Sequence, residues 1–199
     1  MTDSVLVTRF IHGDVQAFNT LVWRWEKPLL NFIWRQVGDR ETAKDLTQTT
    51  LIRIYKQLPK LKNPEKFSSW AYRIAQNLCL DEFKKRKRRR TDSFDEMAPH
   101  EAERQLHAGR TDLPRTPESL LHQHQLGQIL QDALQQIPQD QRVVVIMKQY
   151  QGLKFTEIAD ILKEPVNTVK SRLYYGLKAM RKALEESDYH KEGLLHEML

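Results

Sequence analysis

Residues 155–184, FTEIADILKEPVNTVKSRLYYGLKAMRKAL, carry the pattern of two helices joined by a short turn. The first part has apolar residues between Ile158 and Leu162 at the spacing of a short helix. The segment Lys163-Glu164-Pro165 predicts a turn, because proline breaks the hydrogen bonding of a helix interior. A longer second helix is expected to begin near Asn167-Thr168, since both residue types are good helix caps. This spacing is typical of a helix-turn-helix.

The second helix of this motif has one apolar stripe and one polar face. Its start is expected to expose Lys170, Ser171, Arg172 and Tyr175. The N-terminal part of a recognition helix enters the major groove, where Arg or Lys reaches guanine acceptors and Ser bonds a base or a phosphate. An ordinary helical hairpin with a solvated basic face is the alternative. The apolar stripe consists of Val169, Leu173, Leu177, Met180 and Leu184.

The rest of the chain also has helical periodicity, with only 7 glycines and 8 prolines in 199 residues. An apolar stripe begins after Asp14 and is interrupted by Pro28, which should kink that helix or restart it. Gly38-Asp39 ends this helix and caps the next, which runs to Pro59. A proline-bearing loop follows, and another helix begins near Ser68.

Between Thr91 and Pro117 the periodicity is lost and charges and prolines accumulate, as in a linker. We therefore predict an all-α protein with two small helical domains joined by a flexible linker. The first domain spans residues 1–91 and the linker spans 92–117. The second, at 118–187, is a four-helix domain with the helix-turn-helix. No role is inferred for the tail, 188–199.

The charge balance favours a polyanionic partner. The formal net charge is +6, and seven consecutive basic residues run from Lys84 to Arg90. They end the helix FSSWAYRIAQNLCLDEFKKRKRRR, in which aromatic residues can stack on unpaired bases while basic residues neutralise phosphates. Alternatively, Trp70 and Phe83 belong to the core and the basic run is a solvated face.

Several classes of protein are disfavoured by what the sequence lacks. No P-loop, GxGxxG, HExxH or CxxC motif occurs, so we expect no enzymatic activity, no catalytic residue, no metal and no cofactor. His122 and His124 do not share a helix face, which argues against a metal pair. A single cysteine, Cys79, and the absence of a signal peptide predict a cytoplasmic protein without direct membrane insertion.

Three segments together resemble the extracytoplasmic-function sigma factors, the compact sigma type that keeps the second and fourth conserved regions joined by a linker. AKDLTQTTLIRIY, residues 43–55, is similar to the family's polymerase-binding helix. Residues 67–89 are similar to its minus-ten element helix. FTEIADILKEPVNTVKSRL, residues 155–173, is similar to its minus-thirty-five reader. The resemblance implies a transcription initiation factor that binds RNA polymerase core and directs it to promoter DNA.

The resemblance also implies roles for individual residues. Polymerase core would be bound through its β′ coiled coil and β flap, and the first of these contacts falls on Asp45, Leu46, Gln48 and Thr49. The minus-ten residues implied are Lys62, Asn63, Phe67, Ser69, Trp70, Arg73, Asn77, Lys84, Lys85, Arg86, Lys87 and Arg88. The minus-thirty-five residues implied are Thr156, Asn167, Thr168, Lys170, Ser171, Arg172 and Tyr175.

Further partners follow from the family pattern. An anti-sigma factor, in many relatives membrane-anchored, would cover the polymerase-binding surfaces, and the free chain would be a monomer. The linker, with acidic Asp92, Asp95 and Glu96, would thread through the polymerase toward its active centre. Three segments depart from the family pattern: Thr49-Thr50, the loop LKNPEKF at 61–67, and Tyr174-Tyr175-Gly176, where a helix-interior glycine costs about 1 kcal/mol relative to alanine.

Two other functions are compatible with parts of the sequence. A conventional dimeric helix-turn-helix regulator would read two half-sites with paired recognition helices. It would not need the basic aromatic helix of the first domain, and no heptad seam for dimerisation is present. An RNA-binding or polyanion-binding adaptor would use the basic run, Lys84 to Arg90, but would leave the second domain without a role.

Overall fold

A computed structural model describes residues 1–92 and 117–186 of the chain. All the regular secondary structure in these residues is helical. Helices α1 to α4 form a first unit and α5 to α8 a second. This arrangement confirms the predicted all-α fold with two helical domains. Residues 93–116, which make up most of the predicted linker at 92–117 and include Asp95 and Glu96, lie outside the described residues, and so does the predicted tail at 188–199.

The first three helices begin at polar caps. Helix α1 spans Asp3–Ile11, α2 spans Val15–Val37 and α3 spans Arg40–Gln57. The carboxylate of Asp14 accepts a hydrogen bond from the Ala17 N–H, and that of Asp39 accepts one from the Thr42 N–H at 2.8 Å. Gly38 ends α2 with a φ of 79°, a left-handed conformation that glycine adopts without a steric penalty.

Helix α2 is continuous through Pro28, so of the two predicted outcomes, a kink or a restart, the restart is wrong. A proline removes one backbone donor, here the hydrogen bond that would reach the carbonyl of Arg24. The apolar stripe nevertheless stays buried on both sides of it, with Trp25 before and Leu29 and Phe32 after. Burial of these side chains against α3 and α4 outweighs the missing bond.

The proline-bearing loop contains two short helical turns, Leu58–Lys60 and Pro64–Lys66. Helix α4, Phe67–Asp92, follows directly and packs against α2 and α3. Its buried residues Ala71, Ala75 and Cys79 recur every four positions and allow close helix packing. The basic run therefore continues a helix whose first half is anchored in the core.

In the second unit, α5 spans Pro117–Gln136 and α6 spans Gln139–Val145. A single wide helical turn, Ile146–Tyr150, connects α6 to the helix-turn-helix. Its two helices are α7, Phe155–Leu162, and α8, Val166–Glu185. Lys163 ends α7 in the left-handed conformation, with a φ of 56°, which confirms the predicted turn.

Two details of α8 correct the sequence reading. The helix begins at Val166 after Pro165, one residue before the predicted Asn167-Thr168 cap, and no side chain caps it. Its buried residues are Val169, Gly176, Met180 and Ala183, whereas Leu177 is 38% exposed. The buried stripe therefore includes Gly176 in place of the predicted Leu177. At Gly176, α8 crosses α6 too closely for a larger side chain.

Candidate nucleic-acid and protein interfaces

The outward face of α3 presents Asp45 and Gln48, which are one turn apart and both exposed. Thr49 is half-buried and its hydroxyl donates to the Asp45 carbonyl at 2.9 Å. Leu46 is also half-buried and packs against the core. Of the four residues predicted to bind polymerase, Asp45 and Gln48 are therefore the two that a protein partner can reach most freely.

The same face of α3 carries an exposed isoleucine that the sequence reading did not single out. Ile52 lies four residues after Gln48 and is 54% exposed. Ile52 and Ile54 are both isoleucines two positions apart, and the sequence alone does not show that Ile54 is the buried one. The packing of α3 against α2 and α4 determines that Ile54 is buried and Ile52 is exposed.

Phe67 lies in the core, so the prediction that it meets DNA is corrected. Its side chain is 2% exposed and packs edge-on against Trp25, with ring centroids 5.4 Å apart. Trp70 is half-buried beside it, at 6.1 Å between centroids. An aromatic residue at the first turn of a helix looks alike in sequence whether it faces the core or solvent.

The other predicted residues near the start of α4 are more accessible. Lys62 and Asn63 are exposed in the loop, and the Asn63 side chain accepts a hydrogen bond from the Glu65 N–H at 3.1 Å. Ser69 is half-buried, and Asn77 is exposed two turns further along α4. Ser69 and Asn77 are eight residues apart on α4, which puts them on the same side of that helix.

The basic end of α4 divides into two faces. Lys84, Lys85, Lys87 and Arg88 are exposed. Three of them, Lys84, Lys87 and Arg88, lie with Thr91 on one exposed face of α4. Arg86 instead turns toward the protein, where it is half-buried and hydrogen-bonded to groups of α2, α3 and α4.

The helix-turn-helix exposes most of its predicted DNA-binding residues. The exposed ones are Thr156, Asn167, Lys170, Ser171 and Tyr175. The Ser171 hydroxyl donates to the carbonyl of Thr168, which is half-buried, at 2.9 Å.

Arg172 is held by two carboxylates within the second unit. Its guanidinium lies 3.0 Å from Glu164 and 3.3 Å from Asp140. The side chain is 25% exposed. It is therefore engaged inside the motif, in contrast to its exposed neighbours Lys170 and Ser171, and a base contact would require these ion pairs to be exchanged.

The two units meet along a seam between α4 and α7. The Arg73 guanidinium donates to the Asp160 carbonyl at 2.5 Å, and the Lys66 ammonium lies 3.6 Å from the Asp160 carboxylate. The Tyr72 hydroxyl donates to the Gln151 side chain at 2.5 Å. Arg73, predicted to meet the minus-ten element, is thus covered by the first helix of the helix-turn-helix.

The seam continues between the end of α2 and the second unit. Side chains of Gln131 and Gln135 donate to the carbonyls of Trp34 and Arg35, at 3.2 and 2.9 Å. Arg142 donates to the Gln36 carbonyl at 2.7 Å. The Arg35 guanidinium stacks over the Tyr150 ring, 4.2 Å from its centroid.

Burial shifts the ionisation of several groups at this seam and in the core. Desolvation lowers the pKa of Arg35 and Arg142 and raises the pKa of Tyr72 to about 12. It also raises the pKa of Tyr150, although the nearby Arg35 opposes that rise. Among the described residues no cluster of His, Cys, Asp or Glu could hold a metal ion, and none of the described helices could span a membrane.

Comparison with known proteins places both units in families. Residues 21–89 match sigma-70 region 2, and residues 127–180 match sigma-70 region 4. The chain is 32% identical over 183 residues to the RNA polymerase sigma-H factor of Pseudomonas aeruginosa, covering 92% of this chain and 94% of that protein. It is 32% identical over 180 residues to the ECF RNA polymerase sigma-E factor of Escherichia coli K12, covering 90% and 93%.

Two solved structures have the same fold. One is the sigma factor RpoE in complex with the anti-sigma factor NepR from Bartonella quintana, with a TM-score of 0.68 and 21% identity over 85% of this chain and 98% of that one. The other is CnrH in complex with the cytosolic domain of CnrY, with a TM-score of 0.63 and 21% identity over 93% and 99%. These matches do not favour a conventional dimeric regulator.

Proposed function

The chain belongs to the sigma-70 family as an extracytoplasmic-function sigma factor, and we propose how its two units divide the work of promoter-specific initiation. Residues 1–91 act as sigma region 2, which binds core polymerase and holds the opened minus-ten element. Residues 118–187 act as region 4, which reads the minus-thirty-five element. Residues 92–117 link the two regions. Polymerase performs the chemistry, and the chain supplies no catalytic group, metal or cofactor.

The observation that carries the proposal is the outward face of α3. Asp45 and Gln48 are exposed one turn apart on a helix whose other sides are packed against α2 and α4. A rigid helix that presents a carboxylate and an amide suits a charged helical partner such as the β′ coiled coil. Thr49 and Leu46 border this face, and their half-burial assigns them a supporting role.

For the minus-ten element, the proposed path follows the exposed edge of the first unit. Lys62, Asn63 and Ser69 line its beginning, and the half-buried Trp70 offers the exposed part of its ring for stacking. Arg73 and Asn77 follow on α4. The exposed basic side chains at the end of the helix neutralise the phosphates of the same strand, which makes binding dependent on salt.

For the minus-thirty-five element, the proposed contacts lie at the entry of α8. Lys170 and Ser171 are exposed there, with Tyr175 one turn later. Asn167 and Thr168 precede them at the helix start, and Thr156 at the start of α7 is placed to meet the phosphate backbone. Arg172 contacts the DNA as well once a guanine replaces Glu164 and Asp140 as the partner of its guanidinium.

The partners of the chain follow from this assignment. Region 4 would contact the β flap of polymerase while region 2 holds the β′ coiled coil. A membrane-anchored anti-sigma factor would inhibit the chain in the cytoplasm by covering the α3 face. Support comes from two fold relatives that were solved in complexes with an anti-sigma factor and with a cytosolic domain. The free chain would be a monomer.

The α3 face is tested by titrating labelled protein with bacterial core polymerase. We expect a stoichiometric complex, weakened by Asp45→Ala and by Gln48→Ala by about 2 kcal/mol each, or roughly thirtyfold, as for residues central to an interface. Glu26→Ala, which removes an exposed carboxylate from α2, is the matched control and should bind like the parent protein. Equal affinity of all four proteins would contradict the assignment of this face.

A further inference from the structure

We propose that Arg86 is a positioning residue that fixes the direction of the basic end of α4, so that Lys84, Lys87 and Arg88 together present one phosphate-binding face. The proposal rests on the proposed function, in which this end of α4 meets promoter DNA. It also replaces the expectation that Arg86 is itself a DNA contact. The bonds of the Arg86 guanidinium carry the inference.

Arg86 differs from its basic neighbours in what its guanidinium contacts. Its Nε donates to the Glu82 carboxylate at 3.0 Å, one turn back on α4. One terminal nitrogen donates to the Val37 carbonyl at 3.3 Å, and the other donates to the Thr42 hydroxyl at 3.0 Å. The Glu82 side chain is 16% exposed and the Arg86 side chain 37%, so the pair is partly shielded from solvent.

These three bonds tie together the ends of three helices. Val37 is the last residue of α2, and its carbonyl is one of the four that a helix leaves without an intrahelical partner. Thr42 lies in the first turn of α3. A single guanidinium therefore closes the corner around Gly38 and fastens α4 to it. Only arginine offers enough donors in a fixed planar fork for all three acceptors.

Arg86 and the exposed face formed by Lys84, Lys87 and Arg88 lie on opposite sides of α4. Arg86 is two residues after Lys84 and two before Arg88, which is a rotation of about 200° around a helix. Lys84, Lys87, Arg88 and Thr91 recur at steps of three and four and form the exposed face of this part of α4. The bonds of Arg86 to the protein therefore determine the direction in which Lys84, Lys87 and Arg88 face.

A charge-neutral change among the groups that Arg86 contacts separates positioning from direct contact. Thr42→Val removes one of the three acceptors of the Arg86 guanidinium without changing any charge. If Arg86 positions the helix, this variant weakens DNA binding. If Arg86 contacts phosphate, the same variant frees one of its terminal nitrogens and DNA binding is unchanged or tighter.

The experiment measures binding of a labelled single-stranded oligothymidylate to the full chain, and binding of core polymerase to the same variants. We expect Arg86→Ala to weaken oligonucleotide binding about tenfold and Thr42→Val about threefold, against about threefold for the loss of one exposed charge in Lys85→Ala. The Arg86→Ala, Thr42→Val double variant should bind like Arg86→Ala alone, because both changes break one unit. Core polymerase binding should be unchanged.

Thr20→Val, at an exposed site on α2, is the matched control for the threonine change, and thermal unfolding verifies that each variant is folded at the assay temperature. Unchanged binding by Thr42→Val, with Arg86→Ala no weaker than Lys85→Ala, would overturn the positioning role and leave the DNA-binding role of the basic end intact. If neither Lys85→Ala nor Arg86→Ala altered oligonucleotide binding, the proposed function of this end of α4 would fail as well.

Discussion

At the scale of single residues, Gly176 has the best-defined packing role. A Cβ added there would lie 2.8 Å from Val145 Cγ2 and 3.3 Å from Gln141 Cβ, both on α6. The sequence showed only a helix-interior glycine with its expected cost of about 1 kcal/mol. Its compensation, the close crossing of α8 over α6, depends on a residue thirty-one positions away and could not be derived from local spacing.

Gly176→Ala is therefore expected to destabilise the protein by about 1–2 kcal/mol, because overpacking against Val145 exceeds the gain in helix propensity. Gly127→Ala is the matched control. Gly127 also lies within a helix, α5, but nothing lies within 4 Å of its would-be Cβ, so alanine there should stabilise by about 0.5–1 kcal/mol. Denaturant unfolding of both variants measures the difference, and stabilisation by Gly176→Ala would contradict the tight crossing.

At the scale of elements, the helices and the turn of the helix-turn-helix could be predicted from the spacing of apolar residues and from the residues that end or cap helices, as near Lys163 and Gly38. Which face of a helix meets which neighbour could not. Phe67 and Arg86 were both predicted to meet DNA, yet Phe67 packs on Trp25 and Arg86 bonds to Val37 and Thr42. Aromatic and cationic side chains serve both purposes, and long-range packing decides between them.

Helix α3 yields the prediction at this scale. Ile52 continues the face of Asp45 and Gln48, and an apolar side chain within a polar rim is typical of an interface centre. Ile52→Asp should weaken core polymerase binding at least about tenfold, since it places an unpaired charge in the contact. Val15→Asp, at a similarly exposed apolar site on α2, should bind as the parent protein does. Equal loss in both variants would indicate a nonspecific charge effect.

At the scale of the whole molecule, several contacts across the seam between the two units are hydrogen bonds between polar groups. The side chains of Gln36, Gln76, Arg73 and Arg142 each leave at least one buried nitrogen or oxygen without a hydrogen-bond partner among the described residues. Such atoms are costly to bury, and polar contacts between domains resemble those of transient complexes. Arg73 and Asp160 are eighty-seven positions apart, so the sequence left the packed and the separated arrangements equally open.

We expect core polymerase to separate the two units, because Arg73 can reach a DNA strand only when α7 leaves it. Cysteines placed at the exposed positions Gln16 and Lys178 would carry a fluorophore pair. Native Cys79 does not interfere, since burial raises the pKa of its thiol to about 12 and it stays protonated at neutral pH. Energy transfer should fall when polymerase is added, and an unchanged signal in an active complex would mean that the seam persists.

The function as a whole is best tested by initiation itself. Core polymerase is incubated with the chain on a library of randomised DNA templates, and the 5′ ends of the transcripts are sequenced. We expect discrete start sites that share two upstream elements, that require the chain, and that are lost with Asp45→Ala. Transcripts without shared elements, or a chain that ignores polymerase and binds palindromic DNA alone as a dimer, would contradict its role as a sigma factor.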